Sequence, residues 1–479
     1  MAARRTGSRR GGAASGGVRR CSRGGAALSA SNGPPSVVVL GGGLSGVATA
    51  YALARAGWRD VTVIERGGAL GGLAGSFERD GHFYPLGYHH ILHRDRTLLF
   101  FLNEIGALPE VRWRKIRMLF RVNDRLYNLG HPIDFLRFPM APIDKLRFVR
   151  LMLKAFNKSD WSDWQDRNAV DLIDAWGGPG VRKSLFEPLT RLKFQLPCEQ
   201  VSGAWLGARL HFREGSAPLG YIPGANWTRT LCEGVTRLIA DRDVKIRVNA
   251  HVTRLHTRDD RLVEAELEGG ERIGGDVFVS TIPTEVYGRF VHDETPHLES
   301  IRYTALISVV CATRQRIEPD FYWMNMVTLD RAACGIFLLD SLNPTIGAPG
   351  DRVVNFVTHI QSREDSFFQQ SDDELMAAYG EDFRAVFGFE LKPFWTNVAR
   401  VPMYSPIFYP GFRNPPPRST TFKNVYFAGN YRTFPSIVST GTALGSGLTA
   451  AQAILEDHGN RTDLTNAVAR FRLGGMPRA

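Results

Sequence analysis

"SVVVLGGGLSGVATAYALARAGWRDVTVIER", residues 36–66, is the stretch that decides the fold. Val37–Leu40 is a continuous apolar run of the kind found in a strand buried on both faces, three glycines make the turn, and a run of small residues follows at helical spacing before a second apolar run at 61–64. Gly41, Gly43 and Gly46 fill a G-x-G-x-x-G frame: the first permits the tight turn, the second lets backbone approach a pyrophosphate, and the third allows close helix and strand packing. Ala50 and Gly57 keep the helix slim. Glu65 ends the second run roughly 20 residues after the glycines, where a carboxylate accepts both hydroxyls of a ribose. An acid there favours an unphosphorylated ribose, as in FAD or NAD. The pattern predicts a βαβ unit of Rossmann type that holds a dinucleotide.

The length, 479 residues, is too great for one small core and predicts two intertwined domains. The formal charge of +11 is misleading, because seven arginines precede residue 35 in a stretch with no acid, which leaves +4 for the remainder. With no basic stripe interleaved with aromatics, nucleic acid is not an expected partner. Residues 1–35 are rich in Arg, Gly, Ala and Ser and poor in large apolar residues; they are expected to be a disordered basic tail. Two Arg pairs lack the apolar segment of an export signal, whereas the acid-free composition is compatible with a transit peptide or with a start codon placed too far upstream. Cys21, Cys198, Cys232, Cys311 and Cys334 are scattered and contain no C-x-x-C pair, so neither a zinc cage nor a disulfide framework is expected. A reducing, cytoplasmic setting fits, and no window of 18 uninterrupted apolar residues predicts a membrane span.

Directly after Glu65 come Arg66 and "GGALGGLAGSF", in which Gly71 and Gly72 offer a second approach of backbone to phosphate, and then "GHFYPLGYHHI" at 81–91. Here the chain resembles the flavoprotein superfamily of amine oxidases, protoporphyrinogen oxidases, phytoene desaturases and UDP-galactopyranose mutases, in which a glutamate, a Gly-Gly pair and a "D-x-G-x-H" type segment succeed one another. It departs by carrying Leu73 where many members have Arg, and Pro85 where many have Asp. "FKNVYFAGNYRTFPSIVSTGTALGSGLTAAQAIL", residues 422–455, is similar to that superfamily's closing strand, glycine turn and helix, with Asn430 in place of the usual acid. The alternating segment 244–283 resembles the superfamily's meander, followed by a strand returning to the main sheet.

The resemblance implies an α/β fold, a Rossmann-type FAD-binding domain with an inserted α+β substrate domain. It would use 36–110, 225–305 and 401–460 for FAD, 111–224 and 306–400 for substrate, and 461–479 as a C-terminal tail. FAD is the implied cofactor, bound extended. The implied binding residues are Gly41, Gly43, Leu44, Ser45, Gly46, Glu65, Arg66, Gly71, Gly72, Leu73, Gly87, Tyr88, the Val252 backbone beside the adenine, Gly429, Asn430, Ser439, Thr440 and Ala443. Gly441, Gly445 and Gly447 are expected to allow further close approaches, with the helix dipole favouring phosphate.

The two substrate stretches are rich in aromatics: "DWSDWQD", "FEPLTRLKFQLP", "AWLGARLHF", "PDFYWMNM" and "PFWTNVARVPMYSP". Any one of these rings is more often core than ligand contact, yet the set suggests an apolar or planar substrate. Phe321, Tyr322 and Trp323 in succession cannot all face one direction in a strand. Residues 145–158, "KLRFVRLMLKAFNK", project as an amphipathic helix with Phe148, Val149, Met152, Leu153 and Phe156 on one face and Arg147, Arg150, Lys154 and Lys158 on the other. Such a helix either packs on the protein or lies on an anionic membrane, here the inner face. Lys193 in "RLKFQL" is a candidate for holding a water or a proton near the flavin, as a lysine does in many amine oxidases.

The expected activity is an FAD-dependent oxidoreductase, a dehydrogenase, desaturase or oxidase, taking hydride from an apolar or amphipathic substrate such as an isoprenoid or tetrapyrrole, with an unidentified electron acceptor. The rival is a non-redox flavoenzyme resembling UDP-galactopyranose mutase, for which Arg191, Arg209 and Arg213 could grip a diphosphate. A flavin-binding scaffold without turnover is a third reading. "PLGYHHILHRD", residues 85–95, places His89, His90 and His93 close together, but the preceding Pro and Gly favour a turn and no carboxylate or cysteine cluster completes a metal set. The resemblance instead runs this segment past the flavin, with His89 and His90 as candidate catalytic groups and His93 as a bystander.

Overall fold

The computed structural model describes residues 34–212, 218–327 and 331–471. Its first sheet is wholly parallel and runs in the order Val425–Phe427, Val277–Ser280, Val37–Leu40, Val61–Ile64, Lys245–Arg247. Four of the five strands are buried at every residue, as strands covered on both faces must be, which explains why Val, Ile and aromatic residues dominate them. Helix α1 (Leu44–Arg55) connects the first two strands in the chain. Helix α2 (Arg96–Glu104) is capped by the Asp95 side chain, which accepts from the Leu98 amide at 3.1 Å.

The middle of the chain supplies a helical wall. It contains α3 (Pro132–Arg137), α4 (Pro142–Phe156), α5 (Glu187–Phe194) and α6 (Gly203–Phe212). Opposite stands a seven-stranded sheet ordered 395–406, 303–313, 352–360, 335–338, 323–326, 118–122, 125–127, antiparallel apart from the parallel pairing of Trp323–Met326 with Met118–Val122. Residues from both predicted substrate stretches thus share one sheet. The predicted meander is a separate three-stranded antiparallel unit, Val252–Arg258, Arg261–Leu267 and Arg272–Gly274.

Helix α7 (Thr440–Asp457) crosses α1 at close range. The reason is an absent side chain: a Cβ at Gly447 would overlap the Ser45 carbonyl and crowd Ala48, while the bare Cα of Gly46 lets the start of α1 close on the Gly41 carbonyl. The contact is stitched by Ser45 Oγ donating to the Ala443 carbonyl at 2.9 Å and Thr49 Oγ1 to the Gly447 carbonyl at 3.1 Å.

Two expectations change. The segment expected as a C-terminal tail carries α8 (Leu464–Arg470), whose Leu464 and Val468 are buried and whose following Phe471 meets Phe100 edge to face. Helix α4 spans 142–156 rather than 145–158, and its apolar residues divide between two faces: Phe148, Met152 and Phe156 turn inward, whereas Val149 and Leu153 are 44% and 59% exposed. The expectation for residues 1–33 lies outside the described residues, as does Arg213.

Candidate active site

The strands of the parallel sheet end at a common edge, and the loops that follow them border one cavity of about 1750 Å³. Ligands of open α/β sheets collect at that edge, beyond the carboxyl ends of the strands. The volume exceeds the ~300–1,000 Å³ of an ordinary small-molecule site, so there is room for an extended dinucleotide and a further molecule.

At the strand edge the cavity is made of backbone. Gly41 has φ +104°, and the Gly71 amide donates to the Gly42 carbonyl at 2.8 Å, joining the two glycine-rich stretches. Gly43 caps α1 without a side-chain hydrogen bond, and a Cβ built on it would meet nothing within 4 Å. The first turn of α1 therefore faces the cavity bare, which suits a phosphate. Glu65 is held between two amides, Gly42 at 2.8 Å and Gly67 at 2.7 Å, one on each carboxylate oxygen. Each oxygen keeps a lone pair for a ribose hydroxyl. These features fit FAD.

Leu44, Ser45, Arg66, Gly72, Leu73 and Val252 also border the cavity here, while Gly46 is buried against the Gly41 carbonyl and Thr281. From the other end of the chain come Gly429, Asn430, Ser439, Thr440 and Ala443. Asn430 Nδ2 donates to the Tyr404 carbonyl at 3.0 Å, so this residue ties two segments together. The start of α7 is not free for a ligand as expected. The Asp95 carboxylate accepts from the Gly441 amide and lies near Ser439 Oγ, and a Cβ at Gly441 would overlap it. Burial pushes the Asp95 carboxyl up to about 6, against the opposing hydrogen bonds from Leu98, Gly441 and Ser439.

The segment 85–95 crosses the middle of the cavity. Gly87 is not part of the lining but accepts through its carbonyl from His89 Nδ1 at 3.0 Å. His90 Nδ1 lies 3.3 Å from the Tyr322 hydroxyl, which itself donates to the His89 carbonyl at 3.4 Å. The carbonyl partner assigns the ring proton of His89 to Nδ1, whereas the Tyr322 hydroxyl can serve His90 Nδ1 as donor or acceptor. The Nε2 atoms of both rings have no hydrogen-bond partner among the described residues. Burial lowers both imidazoles, His90 to about 4, and each is neutral in the physiological range. Tyr88 stacks on Phe337 with centroids 3.8 Å apart and borders the cavity beside Trp323. His93 lies outside the lining, stacked on Trp113 at 3.5 Å.

The far end is built of side chains. Phe148, Met152 and Phe156 of α4, with Phe186 and Leu189, make an apolar wall. Of the consecutive aromatics, Phe321 and Tyr322 are buried in different clusters, and Trp323 alone reaches the cavity. Trp161 and Trp164 are core. Lys193 on α5 and Arg209 on α6 also border the cavity, with Lys193 Nζ 5.1 Å from the Tyr404 ring centroid. Burial pulls Lys193 down to about 7, helped by the nearby Arg209 charge.

Sequence reasoning missed Asp95, His359 and Tyr404, and it singled out Tyr322 without foreseeing its contact with His90. Asp95 had a signal, an acid directly before an apolar helical run; His359 and Tyr404 come into place only through strand pairing. Among the described residues no group of three or more His, Cys, Asp or Glu could hold a metal ion, and no helix is long and apolar enough to cross a membrane.

With this geometry in hand, the chain was compared with known proteins. The model of the family described as flavin containing amine oxidoreductase matches residues 44–455. A 15-cis-phytoene desaturase, chloroplastic/chromoplastic, of an Oncidium hybrid cultivar is 22% identical over 466 residues, covering 87% of this chain and 77% of the relative. Among solved structures, an Exiguobacterium sp. 255-15 protein assigned as a protoporphyrinogen oxidase superposes with a TM-score of 0.71 at 18% identity, covering 89% of this chain and 99% of the other. Reduced UDP-galactopyranose mutase gives a TM-score of 0.69 at 13% identity, over 91% and 98% of the two chains.

Proposed function

Because the chain belongs to the flavin containing amine oxidoreductase family, whose model it matches over residues 44–455, we propose that this FAD-dependent oxidoreductase acts on an apolar or amphipathic substrate of the isoprenoid or tetrapyrrole kind. The observation that carries the reading is the continuity of one cavity, from the glycine cradle past His89 and His90 to the apolar wall of α4. FAD, when bound, supplies acceptance of a hydride and its later passage to oxygen, a quinone or another acceptor. The chain's own part is to bind and orient. The first turn of α1 faces phosphate, Glu65 holds ribose, and the loop at Gly71 and Gly72 closes over both. His89 and His90 offer Nε2 to the proton released as the substrate loses hydride, and the surrounding rings exclude water.

A membrane surface is the proposed source of the substrate. Six of the nine most exposed large apolar side chains among the described residues, Ile133, Leu136, Ile143, Leu146, Val149 and Leu153, lie on α3 and α4. Arg137, Arg150 and Lys154 stand among them, so the patch matches an anionic bilayer in charge as well as in apolar area. The opposite side of α4 is cavity wall, which gives a lipid a short path inward.

The sugar-nucleotide rival has weaker support. Of the arginines that could grip a diphosphate, Arg213 lies outside the described residues, Arg191 pairs with Glu187 at 3.2 Å, and Arg209 borders the cavity. Incubating the FAD-loaded protein in air with a polyene, a porphyrinogen, a diamine and a sugar nucleotide, and the chemically reduced protein with the sugar nucleotide under anaerobic conditions, followed by mass spectrometry, separates the readings. Loss of H2 from the polyene or porphyrinogen is the expected result. Isomerisation of the sugar nucleotide by the reduced protein alone, with no mass change, would overturn it.

A further inference from the structure

The charges around the cavity do not balance. Three carboxylates border it, and each is engaged: Glu65 by the Gly42 and Gly67 amides, Asp95 by Leu98 and Gly441, Glu233 by Arg229 at 2.6 Å. Arg400 is likewise paired, with Asp372 at 2.6 Å, and Arg66 and Arg237 are exposed to solvent at the rim. Lys193 and Arg209 differ. They project from neighbouring helices into the same enclosed volume, and among the described residues neither has a carboxylate or a hydrogen-bond acceptor as partner. Their neighbours are the faces of Tyr404 and Trp205. His359, buried at 6% exposure beside them, leaves its Nδ1 with no partner. Two enclosed cations without a counter-ion are costly, and removing them from water is offset only when an anion joins them.

We propose that Lys193 and Arg209 form an anion subsite that receives a carboxylate or phosphate carried by an otherwise apolar substrate, with His359 as an additional hydrogen-bond donor. The subsite rests on the oxidoreductase reading and sharpens it: the substrate is an amphipathic anion rather than a plain hydrocarbon or an amine. The apolar portion lies along Phe148, Met152 and Phe156, and the head group lies at the two cations. Lys193 is then a positioning residue, protonated when the anion is bound, although burial and the Arg209 charge favour its neutral form when the subsite is empty. The groups facing it are Arg209 from α6, Cys334 and His359 from the large sheet, and Tyr404 from the sheet edge.

The test is calorimetric titration of the FAD-loaded protein with octanoate, octyl phosphate, octanol and octylamine. Wild type is expected to bind one or both anions on the order of 100-fold more tightly than octanol. Preference for octyl phosphate assigns a phosphoryl head group, and preference for octanoate a carboxylate. The preference should collapse in Lys193→Met and Arg209→Met and return in part in Arg209→Lys. Anion binding should also weaken as pH rises above about 7, and that alkaline limb should be missing in Lys193→Met. Without ligand, Lys193→Met should melt higher than wild type, because folding no longer encloses an amine that burial and the Arg209 charge press to give up its proton; a lower melting temperature would mark the lysine as structural and overturn the proposal. Equal binding of octanol and the anions, or tightest binding of octylamine, with flavin still in place, overturns the subsite and leaves the oxidoreductase reading intact. A protein that takes up no FAD strikes the reading itself.

Discussion

The two ends of the cavity are made of different material. At the strand edge the lining is backbone: Gly41, Gly43, Gly71 and Gly72 have no side chains to vary, and Glu65 is locked by two amides. At the helical end it is side chains from segments far apart in sequence, with Phe148, Lys193, Arg209, Trp323 and Tyr404 converging on one volume. One end can hold only a ligand of fixed shape, whereas the other can be re-cut for new substrates without disturbing the first. A family can thus keep its cofactor and change its chemistry.

The largest expected effect tests the backbone end by separating shape from stability. Gly43→Leu places a side chain in open space, so the apoprotein should melt near wild type while FAD affinity falls on the order of 100-fold, read from flavin absorbance after dialysis. Gly46→Val should do the opposite first, destabilising the fold by about 3 kcal/mol because its Cβ overlaps the Gly41 carbonyl. If both variants behave alike, the open face at Gly43 and the packed contact of Gly46 against the Gly41 turn are not the distinct devices described. At the side-chain end, His90→Ala should slow anaerobic flavin reduction by about 100-fold or more while leaving FAD bound. Because burial holds His90 at about 4, the rate should keep its base from pH 8 down to about 5. An acid limb near the ordinary imidazole range that vanishes in His90→Ala would contradict this.

Most of the backbone end was legible in the sequence, and the reason is physical. A dinucleotide cradle needs glycine at set spacings and an acid at a strand end, so its chemistry is local. The resemblance found at 66–91 and 422–455 extended that reading to the closing helix. The side-chain end was only partly legible. Lys193 stood out by its apolar setting, but nothing local pairs it with Arg209, which is brought alongside by helix packing, or with His359, which arrives by strand pairing. Helix α4 misled for a related reason: an apolar stripe does not say whether it meets core, cavity or solvent, and α4 uses its apolar residues on two of these. Asp95 was a cap signal overlooked beside the histidines. Its carboxylate occupies the amide of α7 that had been expected to face phosphate.

Smaller effects sharpen the same contrast. Leu146→Glu and Leu153→Glu should each weaken co-sedimentation with phosphatidylglycerol vesicles by about tenfold without altering FAD content. Unchanged binding would remove the membrane face from the account. Asp95→Asn should change stability modestly, and in a pH-dependent way. The folded carboxyl is raised to about 6 from an ordinary value near 4, so the fold favours its protonated form, and wild-type stability declines as pH rises from about 4 through about 6. The asparagine variant should lack that decline in urea titrations across the same range.

The most direct measurement is the visible spectrum of the purified protein, followed anaerobically as an amphipathic anionic polyene or porphyrinogen is added. The account predicts a bound flavin that bleaches with the substrate and recovers when oxygen or a quinone is admitted. A flavin that stays oxidised with every such compound, while the chemically reduced protein rearranges a sugar nucleotide, would contradict it.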